Sequence, residues 1–117
     1  MLQIQADTLD YRTLNAKLKS AQDDCLITGC LGQRFLAAGL DSHAVTIDGT
    51  PGNALGAYLE GARITVRGNA QDAVGDTMND GHIAVFGNVG DAVGYAMRGG
   101  EIYIKGNAGY RAGVHMK

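Results

Sequence analysis

The sequence predicts an all-β fold: a single-stranded right-handed parallel β-helix of about four coils, with a short N-terminal amphipathic capping helix. Glycines give the first indication. They return every 19 residues at Gly49, Gly68, Gly87 and Gly106, each followed seven positions later by Gly56, Gly75, Gly94 and Gly113. β-Branched residues keep a fixed phase to them, with Val45, Ile64, Ile83 and Ile102 in one column and Ile47, Val66, Val85 and Ile104 in the next. Finally, the repeat lacks sustained helical periodicity and is too short for a strand plus a crossover helix. A β-sandwich would not demand so constant a spacing.

Each element follows from this period. Within a repeat, the inward Ile and Val residues alternate with Arg63, Thr65 and Arg67, with His82, Ala84 and Phe86, or with Glu101, Tyr103 and Lys105. Such alternation, bounded by glycine, reads as one half-buried strand per coil. Like strands of successive coils pair about 4.8 Å apart, so equivalent residues stack in columns and the stack stands roughly 20 Å tall. Ala54, Ala73 and Ala92, and Leu59, Met78, Met97 and Met116, form small or apolar columns. Asn69, Asn88 and Asn107 form a polar one whose amides can bond up and down the stack. Glycines are expected at the tight corners.

Residues 1–24 depart from the repeat and read as a separate N-terminal segment, with residues 25–117 as the β-helix. Met1 to Gln5 can be extended. Asp10 is a helix N-cap, and Tyr11, Leu14, Leu18 and Ala21 fall on one helical face. A helix here would cover the open first coil, although it could instead bind a partner. Cys25 comes into phase with Val45 only if one residue is inserted, and the slip is expected between Gly29 and Leu40. The last coil, Gly106 to Lys117, stops before its strand. This suggests a missing C-terminal continuation, self-association, or another chain covering that end.

Composition excludes several function classes. The 117 residues contain 18 glycines but one proline, and the net charge is −2. Lys and Arg are scattered with no basic run, so nucleic acid is not an expected partner. No apolar run reaches the roughly 18–20 residues of a membrane span, and the N-terminus lacks a signal-peptide pattern. No membrane association and a cytoplasmic location are therefore expected. Cys25 and Cys30, with no further cysteine pair, read as buried thiols rather than zinc ligands.

Candidate chemistry has to be weighed against the columns. The string Gly87-Asn-Val-Gly-Asp-Ala-Val-Gly94 is neither a dinucleotide nor a P-loop pattern, and it recurs coil after coil. Asp72 and Asp91 share a column and could act as a carboxylate pair or hold a cation, but no basic column accompanies them. His43, His82 and His115 occupy three different phases and cannot converge, although Glu101 could favour protonation of His82. Tyr58, Phe86, Tyr95, Tyr103 and Tyr110 point outward. Phe86, Tyr103 and Tyr110 are the candidate interface residues, with Phe86 and Tyr103 on adjacent strands of one flat face. No catalytic, cofactor-binding or metal-binding residue is assigned.

The runs Gly87 to Gly94 and Gly99-Gly-Glu-Ile-Tyr-Ile-Lys-Gly106 resemble the GXGXG domain family over roughly residues 25–117. That domain forms the C-terminal β-helix of the glutamate synthase large subunit and recurs in one of the subunits of formylmethanofuran dehydrogenase. Gly32-Gln-Arg-Phe-Leu-Ala-Ala-Gly-Leu40 and Gly106 to Lys117 look closer to stand-alone glutamate-synthase-like subunits. The resemblance implies a non-catalytic scaffold that packs against amidotransferase and synthase parts. Glutamine-dependent amidotransfer to 2-oxoglutarate, with its FMN and iron–sulfur groups, would then belong to partner subunits, and this chain would hold no cofactor. Family domains generally exceed four coils, which again suggests a fragment. The alternatives are a formylmethanofuran dehydrogenase component, or a small carbohydrate- or cation-binding β-helix using Asp72 and Asp91.

Overall fold

The computed structural model describes residues 1–7 and 9–107. Among these residues six strands, β1 (Leu2–Gln5), β2 (Cys25–Leu31), β3 (Ala44–Thr50), β4 (Glu60–Val66), β5 (Asp80–Val85) and β6 (Glu101–Ile104), form one parallel sheet in chain order. One helix, α1 (Tyr11–Ser20), lies between β1 and β2. This is a parallel β-solenoid of about five turns. It is one turn longer than the glycine register indicates, because β1 pairs with β2 and α1 takes the place of that coil's second side.

The strand columns stack in register. Cys25, Val45, Ile64, Ile83 and Ile102 lie one above another, as do Ile4, Ile27, Ile47, Val66, Val85 and Ile104. Ile27, Ile47, Ile64 and Ile83 are buried, and each contributes about 1.5–3 kcal/mol of transfer free energy. The inserted residue is located at Thr28–Gly29, earlier than the Gly29–Leu40 stretch suggests. The register shifts between Ile27 and Cys30, and Gly29 adopts φ +70°. An extra residue reverses the side-chain parity of the strand, so Cys25, Ile27 and Cys30 all face the interior.

The second side of each coil is a ribbon with no formal strand, bonded from coil to coil. Gly56 N–H donates to Leu36 C=O, Gly75 to Leu55 and Gly94 to Val74, at 2.8–2.9 Å. Ala54 and Tyr58 donate the other way, to Asp72 and Asp76. Left-handed residues recur at alternate positions: Ala54 (φ +63°), Gly56 (+68°) and Tyr58 (+57°) in one coil, with Ala73, Gly75 and Thr77 beneath them. The glycines at 56, 75 and 94 are thus mid-ribbon and buried rather than at corners.

The helix seals the upper end of this ribbon. Asp10 Oδ1 accepts the Thr13 N–H at 2.8 Å, and this bond holds the Asp10 carboxyl below the usual aspartate range. Leu14 and Leu18 are buried, while Tyr11 and Ala21 are half-buried. Lys17 and Lys19 in the last turn suit the negative end of the helix dipole. Asn15 supplies what a preceding coil would otherwise provide: its Oδ1 accepts the Ala37 N–H at 2.7 Å and its Nδ2 donates to Phe35 C=O at 2.8 Å. Ala37 stands in the column of Gly56 and Gly75, so the Asn15 amide mimics a coil backbone. Asn15→Ala leaves the Ala37 N–H unpaired, while Phe35 C=O keeps the Ala38 N–H, and should cost about 1–3 kcal/mol in urea unfolding.

Candidate functional site

Phe86 follows β5 and Tyr103 lies in β6, both on the outer sheet face. Their ring centroids are 6.3 Å apart in an edge-on arrangement, and the side chains are 48% and 57% exposed. The surrounding face is set by the register: Leu26, Thr46, Thr65, Ala84 and Tyr103 form its central column, half-buried down to Ala84. A shallow depression crosses it between Arg63, Thr65, His82, Ala84, Glu101 and Tyr103. Two polar contacts flank it. Arg67 Nη1 reaches Asp48 Oδ2 at 3.2 Å, and His82 Nδ1 faces Glu101 Oε1 at 3.6 Å, close enough for an ion pair when the imidazole is charged. Flat, aromatic-tipped and rimmed by charges, this face has the make-up of a protein-docking surface.

The other candidate residues sit in ladders. Asn69 Oδ1 accepts the Asn88 N–H at 2.8 Å, and Asn88 Oδ1 accepts the Asn107 N–H at 2.9 Å. Asn53, Asp72 and Asp91 form a second ladder, in which Asn53 Oδ1 accepts the Asp72 N–H and Asp72 Oδ1 the Asp91 N–H at 2.8 Å. Both aspartates are exposed on this edge. One carboxylate oxygen of Asp72 is thereby committed to the backbone, as the Asn53 amide oxygen is one coil above.

The glycine columns have distinct surroundings. Gly49, near the end of β3, and Gly68, Gly87 and Gly106, just after β4, β5 and β6, abut the coil above: a Cβ on Gly87 would lie 2.2 Å from Asn69 Oδ1 and 2.7 Å from Gly68 O. Gly56 and Gly75 face the interior, where a Cβ would lie 2.7 Å from Ile83 Cδ1 and 2.5 Å from Ile102 Cδ1 respectively. Gly94 occupies the same column with φ +70°. Tyr110, Gly113 and His115 lie outside the described residues.

Among the described residues no His, Cys, Asp and Glu cluster could hold a metal ion, and no helix is long and apolar enough to cross a membrane. Cys25 and Cys30 are buried free thiols in β2, and burial raises the pKa of both, which keeps them protonated and weakly nucleophilic. A larger depression of about 570 Å³ between β1 and α1 is lined by Leu2, Ile4, Leu9, Ala21 and several polar residues, with Lys17 its one charged side chain. It offers no acid–base pair.

Sequence reasoning missed one cluster. Tyr11 and Arg12, at the start of α1, meet Arg34 and Phe35 on the first ribbon. The Tyr11 and Phe35 rings are 5.7 Å apart, and Arg34 lies 5.2 Å and 5.8 Å from their respective centroids. Arg12 lies 5.6 Å from the Tyr11 ring. A signal was present in the columns. Arg34 stands where Asn53, Asp72 and Asp91 stand in later coils, and Phe35 where Ala54, Ala73 and Ala92 stand.

A family model described as GXGXG motif matches residues 12–117, from within α1 to the last residue. Neither the curated proteins nor the solved structures give a match. A glycine register stacked into ladders, matched over nearly the whole chain, makes this protein a member of the GXGXG motif family.

Proposed function

We propose that this chain is a non-catalytic docking domain or subunit of a glutamate-synthase-like complex. In this reading glutamine-dependent amidotransfer to 2-oxoglutarate occurs on cytoplasmic partner subunits, which also carry the FMN and iron–sulfur groups. The observation that carries it is the flat outer face ending in the Phe86–Tyr103 pair. Family membership supplies the class of complex, and the Asp72 ladder gives the most reactive-looking column a structural role.

Co-expression with the glutaminase and FMN-binding synthase subunits tests the proposal. The wild-type chain should co-purify with them. Phe86→Ala with Tyr103→Ala should reduce recovery about tenfold or more, since paired aromatics at an interface centre carry a large share of binding energy. Tyr58→Ala with Tyr95→Ala removes equally exposed aromatics from the ribbon side and should leave recovery unchanged. Full recovery of the Phe86/Tyr103 variant would move the interface elsewhere. Failure of the wild-type chain to recover either subunit would remove the glutamate-synthase reading.

A further inference from the structure

The geometry points to a second interaction site, in which Arg12 and Arg34, stacked on Tyr11 and Phe35, receive the carboxylates of an acidic segment of a partner protein. All the arginine–ring contacts among the described residues converge on this one aromatic pair. Stacking orients a guanidinium plane while leaving its N–H edges available for paired bonds to a carboxylate. Neither arginine makes a salt bridge among the described residues, and both are exposed. The acidic group that interacts with Arg12 is Asp10, whose Oδ1 is already engaged by the Thr13 N–H. Arg12 also interacts with the Tyr11 hydroxyl, which lowers that group's pKa and draws the guanidinium and ring into one unit.

The repeat itself shows that this cluster serves something other than the stack. Three later coils place Asn or Asp at the Arg34 position and alanine at the Phe35 position. Phe35 nonetheless holds φ +56° and leaves its ring 41% exposed. Tyr58 shares that conformation at φ +57° and is also exposed, so what sets Phe35 apart is its contact with Tyr11 and Arg34. Arg12 sits in the first turn of α1, where a positive charge opposes the helix dipole. Arg12 thus departs from what the helix dipole would select and Arg34 from its column, and both meet at one aromatic pair. Arginine and aromatic residues in contact are the composition of interface hot spots, and two guanidiniums with no salt bridge among the described residues select an acidic occupant. The protein nature of that occupant rests on the docking reading above, and the site lies on the helix and ribbon rather than the outer sheet face.

A fluorescein-labelled peptide of alternating glutamate and leucine, titrated into the full chain and followed by anisotropy, tests this inference. Wild-type protein should bind it, and Arg12→Ala with Arg34→Ala should weaken binding by at least about tenfold. Arg12→Lys with Arg34→Lys should not restore it, because lysine lacks the planar fork. Lys19→Ala with Arg98→Ala removes the same net charge elsewhere and should have little effect. Equal losses in the two alanine pairs, or displacement of the peptide by an equal concentration of inorganic phosphate, would overturn the acidic-segment site. Should the alanine variant fail to fold, the Arg12 and Arg34 side-chain Nε–H resonances of the wild-type protein must shift on adding peptide, and unmoved resonances would overturn it equally. The two proposals fail separately. Loss of co-purification in the Phe86/Tyr103 variant with unaltered peptide binding by the arginine variant retains docking and removes this site. No recovery of synthase subunits alongside arginine-dependent peptide binding does the reverse.

Discussion

Gly56→Ala should destabilise the protein by about 2–4 kcal/mol, although it adds only one methyl group. Two costs combine. Gly56 holds φ +68°, where a Cβ costs about 1–2 kcal/mol. Its Cβ would also lie 2.7 Å from Ile83 Cδ1 and 3.3 Å from Ile64 Cδ1 in the filled interior, which adds about 1–3 kcal/mol of overpacking. The two can be separated. Ile83→Val removes the Cδ1 atom, so the double variant Gly56→Ala/Ile83→Val should recover much of the packing cost and leave the backbone cost. Gly39 isolates that backbone cost, since it holds φ +67° and a Cβ there would meet nothing within 4 Å, and Gly39→Ala should cost only about 1–2 kcal/mol. Urea unfolding of the four variants gives the coupling energy directly. Additive effects of Gly56→Ala and Ile83→Val would mean that the methyl group does not face that isoleucine.

Gly87→Ala should cost about 3 kcal/mol for a different reason. The backbone there does not require a left-handed residue. A Cβ would instead lie 2.2 Å from Asn69 Oδ1 and 2.7 Å from Gly68 O, where part of the obstacle is backbone of the coil above. To make room, Asn69 must leave the Asn88 N–H, which adds the loss of a hydrogen bond of about 1 kcal/mol to the steric cost. The melting temperature should fall by more than about 10 °C at this chain length, as calorimetry would read it. A fall no greater than that of Gly39→Ala would show that the coils can separate locally without penalty.

These variants also show which parts of the fold were legible in the sequence. The strand columns were, because inward Val and Ile at a fixed period state both the element and its register. The asparagine and aspartate ladders were legible as columns, but their bonds were not: a side-chain oxygen accepting the next coil's N–H depends on how the chain turns after each strand. The ribbon was hidden for a physical reason. Its left-handed positions are held by Ala54, Ala73, Tyr58 and Thr77 as well as by glycine, and none of these residues signals positive φ. Cooperative bonding between coils overrides their local preference. The insertion at Thr28–Gly29 was visible as a phase slip but not as a bulge that turns Cys30 inward.

The candidate sites divide in the same way. Phe86 and Tyr103 could be placed together because both belong to the repeat, and the register fixes their separation. Tyr11 and Arg12 could not be placed beside Arg34 and Phe35, because α1 lies outside the periodic region and its docking depends on Asn15 bonding to Phe35 and Ala37. Within the repeat, an unusual residue is best recognised against its own column. Asp72 looks reactive in isolation and ordinary beside Asn53 and Asp91, whereas Arg34 looks ordinary in isolation and exceptional beside the same residues.

If the 19-residue period sets the coil register, removal of one complete period should leave a shorter stack with every column intact. Deleting Asn69 to Gly87 joins Gly68 to Asn88 and meets that condition, while deleting Asn69 to Thr77 removes about half a coil and puts every later column out of phase. Far-ultraviolet circular dichroism with thermal melting compares the two. The whole-coil deletion should keep a β-sheet spectrum and a single cooperative transition at a lower temperature, and the half-coil deletion should show neither. An unfolded whole-coil variant, or a half-coil variant that folds equally well, would contradict the stacked-coil account.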